Sequence, residues 1–170
     1  MKFGDRDIHE TNFQWEVAPL VPMRKLYALN VGQHVEEAPT TENQHELWVM
    51  WDGRPIPAGA ALCRELKSGM DWIFFTETWG GQMRLFDAEL MCRPMEEPWQ
   101  TVIGELIAAN GDRIGGFPDV IGQRSDGTVI LCELKARASK DRLQTNQHDF
   151  ANAAVSALGG RVDLMVAIWG

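Results

Sequence analysis

The chain has no apolar run approaching the ~20 residues that a membrane-spanning helix needs. Its amino end, MKFGDRDIHE, carries charges where a secretory signal would have an apolar core. Both absences lead to the expectation of a cytoplasmic protein with no membrane partner. Cysteine is scarce. Cys63, Cys92 and Cys132 are odd in number, scattered and without C-x-x-C spacing, which argues against a disulfide framework and leaves reduced core thiols. No internal repeat and no low-complexity tract is visible. Positive charge is short as well: 16 Lys and Arg against 24 Asp and Glu leave a net charge of −8. That balance argues against broad adhesion to nucleic acid or anionic lipid, but it permits a small basic groove or a metal-centred site on an acidic body.

What remains is an ordinary globular composition, 45% apolar and 24% charged over 170 residues. A domain of that size buries roughly 70% of its unfolded surface and needs no staple. Seven tryptophans are many for this length, and Trp15, Trp48, Trp51, Trp72 and Trp79 all fall in the first half. The clearest boundary lies near Arg93-Pro94-Met95, dividing a β-rich region (1–95) that packs on the core or dimerises from a second unit (96–170). Neither part is basic.

In residues 1–95, Phe13–Val17, Lys25–Val31 and Glu46–Trp51 read as strands, Asp52-Gly53 as a turn, and Ile56–Lys67 as a helix stopped by Gly69. Trp72–Thr76 and Met83–Met91 read as a hairpin across Trp79-Gly80-Gly81. In residues 96–170 the order is sharper. Pro98–Asn110 is a helix with Pro98 in its first turn and Gly111 at its stop. Phe117–Arg124 and Thr128–Lys135 are strands joined at Ser125-Asp126-Gly127. Ser139 caps a long helix to about Leu158, closed by Gly159-Gly160, and Arg161–Trp169 is a final buried strand. Helix, hairpin, helix, strand implies an α/β layer structure with a mixed sheet.

The hairpin carries the chemistry. Alternation places Glu133 and Lys135 on one face with Leu134 opposite, and the tight turn brings Asp119 near both. Two carboxylates are the hard oxygen donors that Mg²⁺ or Mn²⁺ prefers. A lysine beside them can position a water or stabilise charge developing on a phosphate. Such a set suits phosphodiester hydrolysis. On the second helix, Leu143, Phe150, Ala151, Ala154 and Leu158 form an apolar stripe that includes Gln147, a polar residue that must find a partner there. Arg137, Lys140 and Arg142 follow Lys135 closely, a local phosphate cradle on an acidic protein.

Pro118-Asp119, thirteen residues, then Glu133-Leu134-Lys135 resembles the PD-(D/E)xK nuclease motif. Gly116-Phe117-Pro118-Asp119, the Asp126-Gly127 turn, the helical Gln147, Gly159-Gly160 and the closing strand are similar to the virus-type replication-repair (VRR-NUC) branch over about residues 96–170. The resemblance implies a restriction-endonuclease-like core with a β-rich amino-terminal elaboration. It implies a Mg²⁺- or Mn²⁺-dependent endonuclease with Asp119, Glu133, Lys135 and Gln147 catalytic, acting on nucleic acid, with DNA, including branched DNA, ahead of RNA. Family members complete the metal site with a glutamate from the first helix. Glu96, Glu97 and Glu105 are available here. Glu96 is favoured, because it borders the apolar stripe of that helix and stands four residues before Gln100. Small standalone members resemble junction-resolving enzymes, so residues 1–95 could supply a homodimer contact.

Blander alternatives accompany each feature. A bare E-x-K is usually a surface pair, and Glu65-Leu66-Lys67 repeats that text on an expected helix as a solvated face. His9, His34, His45 and His148 have no metal-ligand spacing, and His148 is expected at the surface. Asn110–Gly116 lacks the lysine of a phosphate loop and reads as a turn letting the backbone approach the site. The rival class is a non-enzymatic acidic binding or inhibitor protein, for instance phage-encoded, that keeps the nuclease-like fold.

Overall fold

The computed structural model describes residues 1–170 except 9, 19–23, 28–31, 33–35, 40–47, 80 and 138–141, and gives the backbone alone for 24–27, 36–39 and 79. Strands β1 (Lys2–Phe3) and β2 (Arg6–Asp7) form a small ribbon, followed by β3 (Glu10–Phe13). Then come β4 (Arg24–Tyr27), β5 (Glu36–Pro39), β6 (Trp48–Trp51), β7 (Arg54–Pro57), α1 (Ala58–Leu66), β8 (Met70–Trp79), β9 (Gln82–Phe86) and β10 (Cys92–Arg93). The second half runs α2 (Trp99–Ala109), β11 (Val120–Arg124), β12 (Val129–Ala136), α3 (Thr145–Leu158), one 3₁₀ turn at Gly159–Arg161, and β13 (Val162–Trp169).

A mixed sheet of seven strands in the order β10-β9-β8-β11-β12-β13-β3 organises the molecule. β12 runs parallel to β13, and β13 parallel to β3, whereas the other pairs are antiparallel. The parallel pair follows from α3, since adjacent parallel strands need a crossover connection. This sheet takes strands from both sides of Arg93. In particular, β8 lies directly against β11, with Phe75 opposite Val120.

Strand alternation divides the core between the two faces of the sheet. Ile73, Phe75, Val120, Ile130 and Cys132 point to one face, where Ala58, Ala60, Ala61, Leu62 and Cys63 of α1 cover them. Trp72, Phe74, Ile121, Val129 and Leu131 point to the other, under Trp99, Ile103 and Leu106 of α2 and Phe150, Ala151, Ala154 and Leu158 of α3. Trp72, Phe74 and Trp99 form an aromatic cluster on that face, Phe74 meeting Trp99 edge-on at 4.9 Å. Much of the tryptophan content is thus absorbed by packing.

The two tight turns follow the sequence reading. Asp52 and Gly53 both take positive φ between β6 and β7. At the β11–β12 turn, Asp126 accepts the Thr128 N–H at 2.9 Å, and that hydrogen bond holds its carboxyl below its usual range. Several boundaries differ from expectation. Ile56 and Pro57 pair with β6 instead of opening the helix. β3 ends at Phe13, leaving Val17 only an isolated bridge to Val49. β9 ends at Phe86, because the Asp87 carboxylate collects the N–H groups of Glu89 and Met91 into a turn. α3 starts at Thr145, since Gln144 and Gln147 cap it reciprocally; Ser139, the expected cap, lies outside the described residues. The expected strands Lys25–Val31 and Glu46–Trp51 fall partly outside them as well.

α1 lies against the sheet through small residues. A Cβ on Gly59 would sit 2.7 Å from the Phe75 Cβ, whereas nothing lies within 4 Å of one on Gly104 in α2. Replacing a helical glycine with alanine gains up to about 1 kcal/mol, and overpacking costs roughly 1–3 kcal/mol. Gly59→Ala is therefore expected to destabilise the protein and Gly104→Ala to stabilise it. Urea midpoints of the two variants check this; shifts of the same sign would contradict the packing of α1.

Candidate active site

The hairpin β11–β12 brings the carboxylates together. Val120 pairs with Cys132, so the register continued by one residue sets Asp119 beside Glu133. Asp119 precedes the strand instead of lying within it, and its Oδ2 accepts the backbone N–H of Leu134 at 2.8 Å. This ties the carboxylate to β12 where the ladder ends. Glu133 and Lys135 share the face of Val129 and Leu131, the side covered by α2 and α3. Both are buried, Glu133 at 0% and Lys135 at 5% exposure.

A charged pair so far from water needs hydrogen bonds to hold it, and Gln147 provides them from the first turn of α3. Its Nε2 donates to Glu133 Oε2 at 2.6 Å. Its Oε1 accepts from Lys135 Nζ at 3.4 Å and from the backbone N–H of Gln144 at 2.8 Å. Only one orientation of the amide satisfies all three, because a carboxylate only accepts and an ammonium only donates. Lys135 is a partner expected for this polar residue, and Glu133 is a second that the sequence did not indicate. The same side chain also closes the helix cap.

The segment before Asp119 packs onto this turn of α3. Gly116 has a φ of +79°, and a Cβ there would fall directly on the carbonyl oxygen of Asn146. Asn110, buried at the end of α2, fixes the loop by donating from Nδ2 to the carbonyls of Arg113 and Gly115 at 2.7 and 3.2 Å. Phe117 meets Phe150 of α3 edge-on at 5.1 Å. The loop between α2 and β11 is therefore a backbone approach to the site, as its glycines suggested. On the opposite face of the sheet, burial first, and then the charges of Asp119 and Glu133, push the Cys132 thiol well above its ordinary range.

The remaining candidates stand apart from this group. Glu96 is exposed, with an Oε1 4.0 Å from Arg93 Nη2. Glu97 accepts the Thr101 hydroxyl at 2.7 Å, and Glu105 is exposed. The inward face of α2 is apolar, and Glu96 and Glu97 precede the helix altogether. Among the described residues, no three or more His, Cys, Asp and Glu side chains gather into a metal-binding group. Arg137 is exposed and donates from Nη2 to Asn12 Oδ1 at 2.9 Å. Arg142 is exposed, and Lys140 lies outside the described residues. His148, expected at the surface, is half-buried because its Nδ1 accepts the N–H of Gly4 at 3.1 Å. The second E-L-K text is on α1, as expected, with Glu65 and Lys67 exposed; Glu65 also accepts the Trp15 indole N–H at 3.1 Å.

Asp119, just before β11, and Glu133, on β12, are hard oxygen donors at adjoining register positions. Mg²⁺ keeps several of its waters and is usually held through one or two carboxylates, so the donor type and number are ones that Mg²⁺ or Mn²⁺ accepts. No family model, no curated protein and no solved structure matches the chain. Among the described residues, no helix is long and apolar enough to cross a membrane.

Replacing Gln147 with leucine removes three hydrogen bonds at nearly constant volume, two of them to buried charged groups. The unmet polar groups are expected to cost on the order of 1–3 kcal/mol or more, read as a lower urea midpoint at pH 7. A loss within about 0.5 kcal/mol, ordinary for surface positions, would show that Gln147 does not secure the pair.

Proposed function

We propose that the chain is a metal-dependent nuclease of PD-(D/E)xK architecture, resembling the VRR-NUC branch, that hydrolyses phosphodiester bonds in nucleic acid, DNA ahead of RNA. The observation that carries this reading is the buried Glu133–Gln147–Lys135 bridge with Asp119 fastened beside it at one end of the sheet. Well-packed apolar residues often replace a buried charged pair with no loss of stability, so packing gives no reason for this set. Titratable groups drawn together in a buried setting are a feature of functional sites. The order α2, β11–β12 hairpin, α3, parallel β13 agrees with the helix, hairpin, helix, strand core implied by the motif.

Asp119 and Glu133 would hold the metal, which when bound supplies Lewis-acid polarisation of the phosphate and a more acidic bound water. Gln147 keeps Glu133 in place through its amide NH₂. Through its amide oxygen it keeps the Lys135 ammonium on the same face as that carboxylate. From there Lys135 orients the water that attacks phosphorus in line, opposite the ester oxygen that leaves. Arg137 and Arg142 follow the motif in sequence and are exposed, where they can receive phosphates of the substrate backbone. Glu96 would complete the donor set only by moving from Arg93, so the reading does not require it.

The rival reading is a non-enzymatic acidic binding protein, and the net charge of −8 is the observation in its favour. Incubation with supercoiled plasmid and with four-way-branched DNA separates the two. Wild type is expected to cut in Mg²⁺ or Mn²⁺ and to stop in EDTA. Asp119→Asn and Glu133→Gln each remove a metal ligand and should abolish Mg²⁺- or Mn²⁺-dependent cleavage. Lys135→Ala should lower the rate by roughly 10²–10⁴-fold, the usual contribution of a placed acid–base group, and Lys67→Ala should leave the rate unchanged. Absence of cleavage would hand the case to the binding-protein reading, and equal rates for Lys135→Ala and Lys67→Ala would overturn the assignment of Lys135.

A further inference from the structure

We infer that Thr76, on β8, is a positioning residue for Asp119. The inference rests on the nuclease reading and adds to it the group that holds the metal-binding carboxylate in place. Phe75 is opposite Val120 in the β8–β11 ladder, so Thr76 comes level with Asp119 just where β11 has not yet begun. Thr76 spans that gap with two hydrogen bonds. Its backbone N–H donates to the carbonyl of Asp119 at 2.9 Å, and its hydroxyl donates to the carbonyl of Pro118 at 2.7 Å.

These two carbonyls belong to the two peptide planes on either side of the Asp119 Cα. The planes define the two soft dihedrals of the residue, so one side chain and one amide of Thr76 fix both φ and ψ of Asp119. The Leu134 N–H then holds the carboxylate from the other strand. Asp119 is thereby restrained from β8 through its backbone and from β12 through its side chain. The position matters because Asp119 lies outside the regular ladder and would otherwise lack the order that strand pairing gives Glu133. Thr76 touches neither the metal nor the substrate in this account; it acts through Asp119. The Pro118 side of the clamp depends on the hydroxyl alone, which makes it separable from the fold of β8.

The test is Mn²⁺ affinity in the absence of nucleic acid, read from the electron paramagnetic resonance signal of free Mn²⁺. Thermal melting in EDTA is measured alongside. Thr76→Val keeps the shape and β-branching but deletes the donor, and Thr76→Ser keeps the donor. Thr76→Val is expected to raise the Mn²⁺ dissociation constant about fivefold, a loss of one neutral hydrogen bond, with Thr76→Ser within about twofold of wild type on the same scale. The Mn²⁺ concentration giving half-maximal cleavage should rise in parallel, while the rate at saturating Mn²⁺ returns to near the wild-type value. A role confined to stability would lower the melting point and leave both Mn²⁺ readings unmoved. Should Thr76→Val not fold, Thr76→Ala carries the same comparison. Wild type that binds Mn²⁺, with the hydroxyl-free variant binding equally tightly, overturns the inference alone. Wild type that takes up no Mn²⁺ removes the nuclease reading and the inference with it.

Discussion

The amide of Gln147 is the contact on which the site depends. Glu133 and Lys135 leave water almost completely, and their mutual attraction alone rarely offsets the cost of that transfer. The amide meets both charges and the first turn of α3 at once. The helix start, the orientation of the acid and the placement of the base are therefore one arrangement. α3 cannot shift along the sheet without breaking the bridge, and Gly116 leaves no clearance in which the loop before Asp119 could follow it.

The sheet imposes a second constraint, because it is assembled from distant parts of the chain. β11 and β12 present the acidic and basic groups, β13 supports them through the α3 crossover, and β8 closes the other side. The strand that fixes the backbone around Asp119 comes from before Arg93, while Asp119 comes after it. The β-rich first half supplies the clamp as well as a covering layer, since α1 seals the face behind Cys132.

The hairpin, the turn at Asp126-Gly127, the shared face of Glu133 and Lys135, and the presence of Gln147 in the buried stripe of α3 were all legible in the sequence. Each is a local property, set by two-residue alternation, turn chemistry or helical spacing. The approach of the Gly116 loop was legible too, because positive φ and close backbone contact both favour glycine. Other features had no local signal. Nothing in the text around Thr76 indicates that it meets Pro118 and Asp119, since β8 and β11 are joined only by tertiary pairing. α3 begins at Thr145, later than the cap expected at Ser139, because a glutamine at the cap is a weaker local mark than a serine. Glu96 was favoured on its spacing from Gln100, yet it precedes α2 and lies beside Arg93.

The proposed nuclease function requires Asp119 and Glu133 to hold one divalent ion beside Lys135, and anomalous diffraction from a crystal soaked in Mn²⁺ locates that ion. An anomalous peak in direct contact with both carboxylates is expected, together with its loss in Asp119→Asn. Density showing Mn²⁺ at other residues, or no peak between Asp119 and Glu133 at saturating Mn²⁺, would contradict it.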